Sequence, residues 1–325
     1  MAEAVREALI TYRYLRMALV TLVVMLGASI LFTEAAADCW QGSISDYYYT
    51  PSHLIFVASL CAIGICLIVY RGHTATEDLL LNFSGLLAFV VALVPTTAPT
   101  LCGAGMPGID DPTAAAGNNI GALLVAVTVG VASYGAIRLL LPMSTTKAPE
   151  AGTAHPPHAL LRLLRRILRL AARPVAVLDA VLPWLLTALL AALAIAFFVD
   201  PRFSGRYGHN IAAIAMFLGI IAVVVHYALY AAARRSRTTR RMCFVLLYLS
   251  LAAAMIVTLA LAIAADFTNH PLGVLIVEAL LILAFAVFWI VQTIDLWDLD
   301  AYSATSLTEL LHALESAATP SSAAD

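Results

Sequence analysis

Charge is what this sequence has least of. Asp, Glu, Lys and Arg make up 12% of its 325 residues, where a soluble globular chain carries about a quarter. Formal net charge is −2, so no basic field points to nucleic acid. Five cysteines are too few for a secreted disulfide scaffold. With 17 Gly and 14 Pro the collagenous and low-complexity classes are excluded. The period-two alternation of barrel strands is absent, and so are a P-loop, a dinucleotide-binding fingerprint and a serine nucleophile elbow. What the chain has instead is 62% hydrophobic residues. That composition reads as a polytopic membrane protein.

A helix must cover about 30 Å of hydrocarbon at about 1.5 Å per residue, which takes roughly 20 apolar residues. Eight stretches meet or approach that length: 15–32, 53–70, 79–94, 120–141, 175–199, 211–233, 243–265 and 272–294. The expected fold is an all-α bundle of eight spans, because lipid cannot satisfy an open backbone. With the N-terminus inside, Arg202 and Arg206 are the two cations placed outside, and the other 16 of the 18 Lys and Arg lie inside. The positive-inside rule therefore orients the chain N-in and C-in. Ala35-Ala36-Ala37 also resembles a signal-peptidase site, whose cleavage would leave seven spans. The long apolar run and Glu34 favour a retained span.

The expected organisation is a first four-span half (1–142), a cytoplasmic linker (143–174), a second four-span half (175–297) and a partly disordered cytoplasmic tail (298–325). Within the linker, 158–173 reads as an amphipathic helix. Its leucines share one face, and Arg162, Arg165, Arg166, Arg169 and Arg173 share the other. Such a helix lies on the inner membrane surface with its arginines toward anionic head groups. Cys39 and Cys102 fall in two outer loops and are a candidate disulfide.

Polar chemistry gathers at the outer side. The first outer loop carries Ser45, Asp46, Tyr47, Tyr48 and Tyr49, followed by His53. His209 opens the sixth span and His270 precedes the eighth. Glu278 lies about two turns into the eighth, a depth at which a carboxyl needs a cavity or a partner; His209 or Arg206 is the natural one. These nine residues form the candidate ligand site. No metal motif is present, and His53, His209, His270 and Asp46 are the weak alternative ligand set for zinc. No cofactor is implied.

The stretch 42–97 reads G-S-I-S-D-Y-Y-Y-T-P to Pro51, then C-A-I-G-I-C-L-I-V-Y-R-G from Cys61 to Gly72. Glu77-Asp78, Asn82, Gly85, Ala88 and V-A-L-V-P-T to Thr96 follow. It resembles a group of uncharacterised bacterial, largely actinobacterial, multi-span membrane proteins. More remotely, I-S-D near an outer helix start, with His209-x-x-Ala212-Ala213-x-x-x-Phe217, is similar to membrane proteins of the DRAM and glycolipid-remodelling type. The resemblance singles out Ser45, Asp46, Tyr47, Tyr48, Tyr49, Pro51 and His209. Spans and the basic helix together lead to the expectation of a multi-pass cell-membrane protein with membrane lipids as partners, anionic lipid at the inner surface among them.

The function expected is binding or moving a lipid or small polar ligand through an outward-facing polar vestibule, a reading that leans away from an enzyme. The alternatives are a membrane-embedded, metal-dependent hydrolase of the ceramidase kind and an envelope-protein scaffold.

Overall fold

The computed structural model describes residues 2–72, 74–96, 99, 207–233, 239–268 and 273–318, with isolated helical positions within 122–140 and 184–195. Six long helices carry the fold: α1 (Ala2–Ala37), α2 (His53–Val69), α3 (Ala75–Leu93), α4 (His209–Ala233), α5 (Thr239–Thr268) and α6 (Gly273–Ala318). A short 3₁₀ turn, Ser45–Tyr49, lies between α1 and α2. The described residues contain no strand.

Five of these helices contain segments long and apolar enough to cross a membrane: Ile10–Ala37, Ala75–Leu93, His209–Leu229, Met242–Ala264 and Gly273–Trp297. Helix α2 is apolar but has 17 residues, about 26 Å of helix. The six correspond to the first, second, third, sixth, seventh and eighth expected spans. The described positions within the fourth and fifth expected spans are helical. The basic helix at 158–173, Cys102 and His270 lie outside the described residues.

Two helices run well past the hydrocarbon length. No proline interrupts 2–37 or 273–318, so the backbone ladder continues beyond the apolar stretch. Much of the segment expected as a tail is thus part of α6. Helix α1 stops at Asp38, whose φ of 52° is left-handed. Its N–H returns to the Glu34 carbonyl at 2.8 Å. Asp is among the few non-glycine residues that tolerate this conformation.

Each helix packs on its neighbour in sequence, and α6 closes back onto α1, giving a ring of six antiparallel helices. The interfaces use small residues. A Cβ built on Gly64 of α2 would sit 2.7 Å from the Gly85 carbonyl oxygen of α3, and one on Gly85 would sit 2.6 Å from that of Gly64. Glycine here allows two backbones to touch, the usual device for helix pairs that have no hydrophobic driving force between them. Large apolar side chains such as Leu54, Ile65, Leu86, Leu218, Ile256, Val257 and Leu283 point outward. Arg13, Arg16 and Glu77, by contrast, are buried. This apolar exterior around polar interior groups suits a hydrocarbon solvent.

Candidate functional site

The polar groups of the ring collect at its two ends. At one end the loop after α1 folds over the bundle as a cap. Ser43 N–H donates to Asp46 Oδ2 at 3.0 Å, and Asp46 N–H donates to Ser43 Oγ at 3.1 Å. This reciprocal pair has the logic of a capping box and starts the 3₁₀ turn. Burial pushes the Asp46 carboxyl above the usual aspartate value, against the pull of the Ser43 hydrogen bonds.

The three consecutive tyrosines take three different environments. Tyr47 points inward and is fully buried; its hydroxyl donates to the Glu34 carboxylate at the end of α1. Burial, and then that hydrogen bond, push its phenol well up. Tyr48 packs edge-on against His53 and Phe56. Tyr49 donates to the Thr96 carbonyl at 2.7 Å, and burial raises its phenol too. His53 Nδ1 meets the Tyr48 carbonyl at 2.8 Å. Of the three, Tyr47 is thus the one turned into the bundle, and its hydroxyl is partnered by Glu34.

The other helices hold the cap from the sides. Leu275 N–H at the start of α6 donates to the Gly42 carbonyl at 3.0 Å. Glu278 Oε2 accepts from Ile44 N–H at 2.6 Å; Arg206, one of the two partners expected for it, lies outside the described residues. At the start of α4, His209 Nδ1 meets the Val94 carbonyl at 2.7 Å and Nε2 meets Ser45 Oγ at 2.8 Å. His209 and Glu278 thus converge with Asp46 on the consecutive residues 43–46. Beneath α2, Ser52 Oγ donates to the Ser29 carbonyl at 3.1 Å and lies 2.8 Å from Thr33 Oγ. Among the described residues, no three His, Cys, Asp or Glu gather as a metal site. Cys39 is disulfide-bonded, while Cys61, Cys66 and Cys243 are free thiols.

Below the cap lies an axial cavity of about 60 Å³, several times the space one water needs. Its walls come from α1 (Val23, Leu26), α2 (Phe56, Leu60, Ile63), α3 (Val91), α4 (Ala213, Met216, Phe217, Ile220) and α6 (Ile282, Phe285). Ser45 and Glu278 are the two polar residues among its lining.

The opposite end is a second polar layer. Arg13 donates to the Trp297 carbonyl at 3.1 Å and stacks on that indole; Arg16 lies over the Tyr70 ring. Tyr70 donates to Gln292 Oε1, and Tyr227 and Tyr248 both donate to Asp295 Oδ2. Nearby, Arg71 pairs with Asp78 at 3.1 Å, and His226 meets Thr74 at 2.7 Å.

Sequence reasoning used Glu34 only as an argument for a retained first span and missed it as a site residue, although a carboxyl in the last turn of an apolar span is itself a signal. It also missed Arg13 and Arg16 as interior groups, since their positions near a span end read as ordinary flanking cations. Fold and site define an all-helical, multi-span membrane protein with a capped axial cavity. No protein-family model, curated protein or solved structure matches the chain.

Proposed function

We propose that this chain is a cell-membrane protein that binds, and in the course of its work moves, a lipid or small amphiphile, part of whose apolar chain enters the axial cavity. The observation that carries the reading is the cavity itself, a partly open void of about 60 Å³ walled by five helices with an almost wholly apolar lining. Well-packed interiors leave few voids larger than a water molecule. A void of this polarity stays dry or takes an apolar guest. In this reading the cap residues Ser45–Tyr49 face outward, the chain crosses eight times, and both termini are cytoplasmic. The concentration of Arg13, Arg16 and Arg71 at the end opposite the cap supports that orientation.

The test is organic extraction of the purified full chain, with the extracted lipids compared with the bulk lipid of the same preparation. A specific amphiphile should be enriched, and Ala213→Leu, which places a larger side chain at the cavity wall, should remove it. Extracted lipid of bulk composition in both proteins would defeat the proposal. Turnover of a bound lipid ester or amide would favour the hydrolase alternative.

A further inference from the structure

We infer that Ser45 and His209 form a nucleophile–base dyad that cleaves a carboxylic ester at the mouth of the axial cavity. The inference goes beyond binding. It rests on the cavity reading for where the acyl group sits, and on the cap geometry alone for the chemistry.

The Val94 carbonyl can only accept, so His209 Nδ1 carries the ring proton in their 2.7 Å contact. In the neutral ring Nε2 is then an acceptor, and the Ser45 hydroxyl donates to it across 2.8 Å. A hydroxyl within reach of a base, with the base oriented by a third group, is the arrangement that activates a nucleophile. It is defined by geometry and roles, so it needs no nucleophile elbow. Both partners are held in place. His209 is buried at the start of α4. On either side of Ser45, Ile44 N–H donates to Glu278 Oε2 and Asp46 N–H donates to Ser43 Oγ. Ser45 itself is half-buried and lines the cavity, so a guest can reach its oxygen. The contact of His226 with Thr74, also 2.7 Å, is different in kind. Thr74 Oγ1 caps α3 by accepting from Glu77 N–H at 3.2 Å, a structural task.

In the reaction the Ser45 oxygen bonds to the ester carbonyl carbon while the hydroxyl proton passes to His209 Nε2. The tetrahedral adduct expels the alcohol oxygen, which takes that proton and leaves as the alcohol, with acyl-Ser45 remaining. Water then bonds to the acyl carbon and gives a proton to Nε2. Ser45 departs with that proton as the carboxylic acid is released. The cavity, about 60 Å³ and partly open, takes the short end of the acyl group against Val91, Ala213 and Ile282. The alcohol portion stays outside. In the metal-dependent alternative the nucleophile is a metal-bound water; here it is a side chain, and a covalent adduct on Ser45 tells the two apart.

Ethyl p-nitrophenyl butylphosphonate, added to the full chain in lipid nanodiscs, tests the dyad. Peptide mapping should place the phosphonyl group on Ser45 and not on Ser43. His209→Gln should slow this labelling by about 100-fold or more. Ser45→Cys keeps a nucleophile of similar size, so iodoacetamide should alkylate position 45, and adding His209→Gln should slow that reaction too. Absence of an adduct on Ser45 in the wild-type protein overturns the dyad, and so does labelling at an unchanged rate after His209→Gln. The wild-type adduct decides the nucleophile even where a variant does not fold. Hydrolysis of p-nitrophenyl acetate and p-nitrophenyl butyrate tests the cavity separately. Wild type should prefer the butyrate, and Ala213→Leu should lose that preference while still cleaving the acetate. A Ser45 adduct with equal rates on the two esters in wild type defeats the cavity reading and leaves the dyad standing. No adduct, with a specific lipid enriched in the extract, does the reverse.

Discussion

Tyr47 and Glu34 make the clearest case at the scale of single residues. The tyrosine is fully buried and the carboxylate nearly so, and the phenol donates to the acid. Tyr47→Phe removes the donor and leaves the carboxylate in place, so it should destabilise the protein by about 1–3 kcal/mol. Adding Glu34→Leu to that variant should recover part of the loss, because no buried charge then lacks its donor. Thermal unfolding of both variants in detergent measures this. Asp46 gives a pH signature. Its carboxyl titrates above the ordinary aspartate value of 3.8, so the folded state binds its proton more readily than the unfolded chain does. Stability from this group is therefore greatest in acid and falls as pH rises from 3.8 through the raised value. Asp46→Asn retains an acceptor for Ser43 N–H and does not titrate. The melting temperature of wild type relative to Asp46→Asn should fall across that window and stay level above it. The opposite slope would show that the Ser43 hydrogen bonds outweigh burial.

Between elements, the closest approach is the crossing of α2 and α3 at Gly64 and Gly85. A methyl group at either position would lie 2.6–2.7 Å from a backbone oxygen of the other helix, and a backbone cannot rotate out of the way as a side chain can. Gly64→Ala and Gly85→Ala should each cost about 1–3 kcal/mol through forced separation of the helices. Gly27 in α1 is the control, because a Cβ there meets nothing within 4 Å. Gly27→Ala should stabilise the protein by about 0.5–1 kcal/mol through lower backbone entropy in the unfolded chain. Melting curves for the three variants, measured side by side, separate a packing requirement from a helix-propensity effect.

For the whole molecule, the ring has two chemically different ends. Reporter fusions at Ala2 and Asp325 should both score cytoplasmic, as expected from the distribution of arginine. An external score at one end alone would mean an odd number of spans, and at both ends the reverse orientation. The capped end should then face an oxidising space. Cys39 is disulfide-bonded, and Cys102 in the next outer loop is the partner proposed from the sequence. Alkylation of the unreduced protein should therefore label Cys61, Cys66 and Cys243 and spare Cys39 and Cys102, with peptide mapping as the readout. Labelling of Cys39 without reductant would place the cap in a reducing compartment and reverse the orientation.

Much of this protein was legible without coordinates, for a physical reason. A bilayer imposes one length and one polarity on every span, so hydropathy alone located the described helices, and cation counts alone proposed their orientation. The cap was legible in part for the same reason. Ser45, Asp46, His209 and Glu278 are polar at a depth where polarity is costly, and they do meet on residues 43–46. Hydropathy carries no information about which helix sits beside which. Closure of α6 onto α1 brings Glu278 to Ile44 across 234 positions, and the approach of α4 to α3 brings His209 to Val94 across 115. Those contacts depend on side-chain shape and on glycine spacing at Gly64 and Gly85, which no count of apolar residues records. The same is true of the inward turn of Tyr47, its pairing with Glu34 and the empty space beneath them. Composition required helices in lipid, and only their packing decided which polar groups meet, and that a cavity lies under them.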